Sequence, residues 1–150
     1  MDTINSSVST VNVRSILQPY IIGLVAAMLL IQTVIVLAGG KITVLSGVLT
    51  ALVAIGIAAW LWRNYRKLCQ VRFGVAIAHA IAFGTVSTSF NLHLVVSTIS
   101  LGSGVDGFNA AAENLLATPW FGATLVLSAV WGLGLIIHLI GAVLGRGWED

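Results

Sequence analysis

The sequence contains very few charged residues. Only 8% of its 150 residues are Asp, Glu, Lys or Arg, whereas 58% are hydrophobic. Soluble domains typically carry about 25% charged residues, so this chain cannot cover a water-exposed surface of ordinary composition. The scarcity of charge excludes a soluble enzyme, a disordered tail and a nucleic-acid-binding module. It predicts that the immediate partner of the chain is a lipid bilayer.

Cysteine and recognisable catalytic motifs are also scarce. The single cysteine, Cys69, excludes an internal disulfide and a cysteine-based metal cluster. The first eighteen residues are polar and lack the apolar core of a secretory signal. The sequence has no nucleotide- or phosphate-binding motif, and no carboxylate is expected at the depth of a membrane histidine. These absences favour a protein that is not an enzyme.

What the sequence has instead is four long uncharged stretches between its charges. Each stretch reaches the roughly 20 residues that a helix needs to cross the hydrocarbon core. They are continuously apolar, whereas strands of a membrane barrel alternate apolar and polar residues. The sequence therefore predicts an all-α integral membrane protein, a four-helix antiparallel bundle forming one domain. The predicted parts are a polar segment at residues 1–18, a domain at 19–145 with spans at about 20–37, 42–62, 74–100 and 120–144, and a tail at 146–150.

Basic residues predict the orientation of the spans. The loop between the second and third spans contains four basic residues and no acid, namely Arg63, Arg66, Lys67 and Arg72. The loops on the opposite side contain only Lys41, or Asp106 with Glu113. Because short basic loops stay in the cytoplasm, this loop and both termini are predicted to be cytoplasmic. The expected location is the plasma (inner) membrane.

Local signals refine the ends of the spans. Gly39 and Gly40 are expected to end the first span, and Thr118 with Pro119 to begin the fourth. Residues 106–117 are predicted to form a short interfacial amphipathic helix between spans three and four. Its expected lipid-facing residues are Phe108, Ala112, Leu115 and Leu116, with Asn109 and Glu113 toward water.

Small residues recur at helical spacing and indicate close helix packing. The second span has one every four residues, namely Ser46, Thr50, Ala54 and Ala58. The fourth span ends with Gly141 and Gly145 at the same spacing. Such stripes let helix backbones approach each other in lipid. Two interpretations remain open, which are packing inside the bundle and an oligomer interface along Gly141 and Gly145.

The spans lack acidic and basic side chains, but the third span is rich in other polar residues. Without an intramembrane carboxylate, the chain has no usual site for proton- or ion-coupled transport. Asn91, His93 and Ser97 form the expected polar face of the third span. These side chains should face protein or water rather than lipid, so a small channel or permease lined by this span is one functional interpretation.

All three histidines lie in predicted spans. His79 and His93 are fourteen residues apart, about 21 Å along the helix axis, so they cannot bind one ion together. His79 lies seven residues from Arg72 and His138 eight residues from Arg146, which predicts that these two histidines share one depth. Paired imidazoles at one depth can ligate a b-type haem, which makes His79 and His138 candidate haem ligands. The alternatives are hydrogen-bonded core histidines or a copper or zinc site.

The sequence therefore supports three functional hypotheses. The first is a non-catalytic subunit or accessory protein of a larger membrane assembly or homo-oligomer, which needs no cofactor. The second is a membrane electron carrier that binds haem b through His79 and His138. The third is the channel or permease lined by the third span.

Overall fold

The computed structural model describes residues 12–100 and 105–145. This part of the chain is 89% helical and contains no strand. Its helices are α1 (Val13–Leu37), α2 (Val44–Cys69), α3 (Gly74–Ser100), α4 (Val105–Ala117) and α5 (Leu127–Leu144). A π-helical segment, Gly122–Val126, leads directly into α5. The expectation of an all-α chain is thus confirmed for these residues.

Four helical stretches are long and apolar enough to cross a membrane. They are Arg14–Leu37, Val44–Cys69, Gly74–Ile99 and Gly122–Leu144. This result confirms the four spans that the distribution of charges predicts. The tail at 146–150 and most of the polar segment at 1–18 lie outside the described residues.

The turn between α1 and α2 follows from its two glycines. Gly39 and Gly40 have φ angles of 71° and 76°, a left-handed conformation that glycine adopts without steric cost. The amide of Gly40 donates to the carbonyl oxygen of Ile35 at 3.0 Å and so closes the end of α1. Thr43 and Ser46 then form a capping box that begins α2, with hydrogen bonds of 3.3 and 3.0 Å.

The central helix is α3, which packs against α1, α2, α4, α5 and the π-helical segment. The first three spans share a core built around a stripe on α1 at helical spacing, namely Leu17, Tyr20, Leu24, Met28, Ile31 and Ile35. Ala78 and Ala82 of α3 belong to the same cluster and are fully buried. Their small side chains allow the close approach of α3 that lipid alone does not drive.

The core-facing side of α2 differs from the stripe of small residues. Ser46 is buried and Thr50 half-buried, but Ala54 and Ala58 are exposed. After the first turns of α2, larger side chains make the contact with α1. The rings of Tyr20 on α1 and Trp60 on α2 stack with their centroids 3.9 Å apart. The stripe therefore contributes to packing within this chain only at its first two positions.

The short helix α4 forms where the sequence predicts it, but with a different contact face. Ala111 is buried and Leu115 packs against the core, since these residues lie one turn apart on one side of the helix. Phe108 and Leu116 are exposed, as expected of lipid-facing residues. Leu115 thus faces the bundle rather than joining the exposed side.

The fourth span begins as expected but contains an unexpected π-helical segment. The amide of Trp120 donates to the hydroxyl of Thr118 at 3.4 Å, and helix follows directly. In the π-helical segment the fully buried Thr124 donates its hydroxyl to the carbonyl oxygen of Trp120 at 2.7 Å. Such segments are rare and occur often at functional sites.

Candidate functional site

The structure brings His79 and His138 into contact. The centroids of the two rings lie 4.9 Å apart, with their planes at 62°. His79 lies five residues after the first residue of α3, and His138 lies six residues before the last residue of α5. Because their rings touch, the two histidines lie at the same level of the bundle. His93 lies elsewhere and has no histidine beside it.

The backbone of α3 sets the tautomer of a neutral His79. Its Nδ1 lies 3.0 Å from the carbonyl oxygen of Val75, one turn earlier. A carbonyl oxygen only accepts hydrogen bonds, so Nδ1 carries the proton. The lone pair then lies on Nε2, the atom that a metal or a haem iron would use.

A porphyrin does not fit between these two rings in the observed arrangement. The plane of a haem with two histidine ligands lies between the imidazoles and holds them apart. Ring centroids 4.9 Å apart in edge-to-face contact leave no room for that plane. Among the described residues, no group of three or more His, Cys, Asp or Glu side chains is placed to hold a metal ion.

His93 lies in a second aromatic cluster, near the turn that joins α1 to α2. Its ring stacks on Trp120, with centroids 4.7 Å apart and planes at 22°. The indole nitrogen of Trp120 donates to the carbonyl oxygen of Gly40 at 3.0 Å. Phe90 packs edge-on against the same indole at 6.3 Å. Trp120 thus connects the α1–α2 turn to α3.

The polar residues of α3 fall on two sides of the helix. Asn91 donates to the carbonyl oxygen of Ser87 at 2.8 Å and to the hydroxyl of Ser128, at the start of α5, at 3.1 Å. His93 and Ser97 instead line the space between α3 and α1. Asn91 therefore faces a different side of α3 from His93 and Ser97, and the three residues do not line one path in this arrangement.

A groove of about 640 Å³ lies between α1 and α3, which we call the α1–α3 groove. Most of its lining is apolar, but α3 contributes a polar row with one residue every four positions, namely Thr85, Ser89, His93 and Ser97. The amide nitrogen of Gln32 on α1 donates to the hydroxyl of Ser89 at 2.8 Å. The four-residue spacing is visible in the sequence, whereas the groove in front of it is not.

Gly141 and Gly145 line a second groove, of about 400 Å³, together with residues from the end of α2 and the start of α3. His138 and Cys69 also line it. No described atom outside its own helix backbone and chain neighbours lies within 4 Å of the position that a Cβ on Gly141 would take. The described part of the chain therefore packs nothing against this glycine.

Comparisons with known protein families, curated proteins and solved structures find no match for this chain.

Proposed function

We propose that this chain is a non-catalytic subunit of the plasma (inner) membrane that assembles with a second copy of itself through α5. The observation that carries the proposal is that α5 has no buried residue. The other long helices each contain buried residues. The proposed topology is an antiparallel four-span bundle with both termini in the cytoplasm, supported by the basic residues between α2 and α3.

The packing of α5 explains why a second copy is the proposed partner. Among the described elements, α5 packs closely only against α3 and the π-helical segment that precedes it. Gly134 and Gly141 lie seven residues apart and so share one side of the helix. A Cβ on either glycine would meet no other part of the described chain within 4 Å. Glycines on an open side of a membrane helix permit close approach of another helix.

Disulfide cross-linking in native membranes tests this assembly. In a Cys69→Ser background, we expect Gly134→Cys and Gly141→Cys to give dimers on mild oxidation. Leu30→Cys is the matched control, because Leu30 is 66% exposed on α1, away from the proposed interface. Monomers only, or equal dimer yields from all three positions, would contradict the proposal. A product with the mass of a different protein would also contradict it.

A second candidate function is electron transfer through a b-type haem. The shared level of His79 and His138 and the Nε2 lone pair of His79 favour it, whereas the contact between the two rings leaves no room for the porphyrin. It requires α3 and α5 to move apart at this level, since the rings touch. Protein purified from haem-replete cells would then show a Soret band that His79→Ala or His138→Ala removes and His93→Ala retains. A colourless preparation would reject this function.

A further inference from the structure

The α1–α3 groove opens sideways, toward the expected position of lipid. Leu29 and Leu92 line it and are 63% and 60% exposed. Its volume of about 640 Å³ lies within the range of small-molecule sites, which is roughly 300–1,000 Å³. A lipid-soluble molecule could therefore enter from the bilayer without crossing either membrane surface.

The hydroxyls in the groove differ from the other threonine hydroxyls of the spans. Thr33, Thr98 and Thr124 each donate to the carbonyl oxygen four residues earlier, at 2.9, 2.9 and 2.7 Å. This local bond satisfies a hydroxyl within a membrane helix. By contrast, three of the groove-lining hydroxyls make no hydrogen bond to another described residue; they belong to Thr85, Thr88 and Ser97.

Two further polar groups beside the groove also lack a complete set of partners. His93 is held by stacking on Trp120, and its ring nitrogens make no hydrogen bond within the described chain. The amide nitrogen of Gln32 reaches Ser89, but its Oε1 atom is buried without a partner among the described residues. The unpaired hydroxyls are hydrogen-bond donors and are costly to leave unpaired in hydrocarbon, so a ligand whose oxygen atoms accept from them would be stabilised. The Oε1 atom of Gln32 is itself an acceptor and gains no partner from such a ligand.

The depth of the polar row restricts the ligand. Thr85 lies eleven residues from the first residue of α3 and fifteen from the last, close to the middle of the span. Thr85 to Ser97 covers about 18 Å of helix. Phospholipids carry their oxygen atoms near the membrane surface, and their acyl chains offer nothing to a hydroxyl. The inner end of the row, at Thr85, lies too deep for these oxygen atoms and instead fits a molecule that carries its oxygen atoms deep in the bilayer.

We propose that the α1–α3 groove binds a neutral, lipid-soluble carbonyl compound of the quinone class. The hydroxyls of Thr85 and Thr88, three residues apart on α3 and near the middle of the span, donate to the ring carbonyl oxygens. The apolar wall formed by α1 holds the ring and the hydrocarbon tail. The site lies on the side of α3 that faces α1, so it does not depend on assembly through α5.

Binding is tested with the full chain in nanodiscs and a decyl-substituted benzoquinone, which quenches tryptophan fluorescence. We expect saturable quenching, because Trp120 lies against His93 at the groove. Decylbenzene, with the same tail and no carbonyl, should displace the quinone weakly. Quenching that rises linearly with quinone concentration would mean that the quinone only partitions into the lipid. This result would overturn the proposal. Equal displacement by decylbenzene would overturn it too, since the groove would then hold only an acyl chain.

Two pairs of variants locate the site. Thr85→Val with Thr88→Val should raise Kd roughly three- to tenfold for each hydrogen bond lost, whereas Thr98→Val, whose hydroxyl is bonded to its own helix, should leave Kd unchanged. Gly84→Leu should abolish saturable binding, because Gly84 lines the groove and a Cβ there meets nothing within 4 Å. Gly47→Leu on α2 is its control. If either control variant weakens binding as much as its partner, the proposal is wrong.

Discussion

The two ends of the α3–α5 pair are held in different ways. At the glycine-turn end, defined by Gly39 and Gly40, Trp120 stacks on His93 and donates a hydrogen bond to the carbonyl oxygen of Gly40. At the basic-loop end, defined by Arg66 to Arg72, the two helices meet through the rings of His79 and His138. The second groove separates α5 from α2 at that end.

The difference shows where this bundle can change its packing. A hydrogen bond and two aromatic contacts fix the start of the fourth span to its neighbours at the glycine-turn end. Among the described residues, the basic-loop end has one ring contact between α3 and α5 and open space beside Gly141, so fewer contacts hold α5 there. Both the proposed assembly with a second copy and the haem alternative use this less constrained end.

The largest expected effect concerns the join between α2 and α3 at the basic-loop end. A Cβ on Gly74 would collide with the carbonyl oxygen of Leu68 and lie 3.1 Å from the Cβ of Val71. Backbone must therefore shift, and Gly74→Ala should lower the free energy of unfolding by about 3 kcal/mol. Unfolding in detergent micelles measures this change.

Gly47→Ala is the control for Gly74→Ala, because a Cβ on Gly47 meets nothing within 4 Å. It should stabilise α2 slightly, since alanine is the better helix former. If the two variants have the same free energy of unfolding, the tight contact at Gly74 is not what joins α2 to α3.

An intermediate effect is expected at the glycine-turn end. Trp120→Phe keeps an aromatic ring against His93 but removes the hydrogen bond to Gly40, so it should destabilise the protein by about 1–2 kcal/mol. Trp131→Phe is the matched control, because Trp131 makes an edge-to-face contact with Phe83 but no indole hydrogen bond to another described residue. Equal losses of stability in the two variants would mean that this end is held by ring packing alone.

The smallest expected effect lies between the two ends, where Asn91 donates to Ser128. Hydrogen bonds between membrane helices are worth about 0.6 kcal/mol on average, so Ser128→Ala should cost about that much. The loss is measured by the same unfolding assay, with Ala129→Ser as a control on an exposed position of α5. A loss above about 2 kcal/mol would show that the middle of the pair, rather than the glycine-turn end, holds the two helices together.

Features set by local sequence could be predicted. The charges delimit the four spans, Gly39 and Gly40 end α1, and Thr118 precedes the helix at Trp120. Each depends on a few adjacent residues and on the length that crosses hydrocarbon. The shared depth of His79 and His138 follows from the same distances along the chain, because helical rise is constant.

Features set by helix rotation could not be predicted. Periodicity indicates which residues share a side of α3, but polar and apolar side chains are spread around the whole helix, so nothing local selects the neighbour that each side meets. Asn91 therefore faces α5 while His93 faces α1. The sequence does not predict the π-helical segment at Gly122–Val126 for a similar reason. Its wider turn accompanies the burial of Thr124, and nothing local indicates that Thr124 is buried.

The hydrogen bond from Trp120 to Gly40 joins residues 80 positions apart in the chain. A ribosome adds about 5–20 residues per second, so Trp120 is made roughly 4–16 s after Gly40. During that interval α2 and α3 are synthesised, and the Gly40 carbonyl oxygen lacks the indole that it accepts from in the finished bundle. Closure of the bundle at this end therefore waits for the synthesis of Trp120, just before the fourth span.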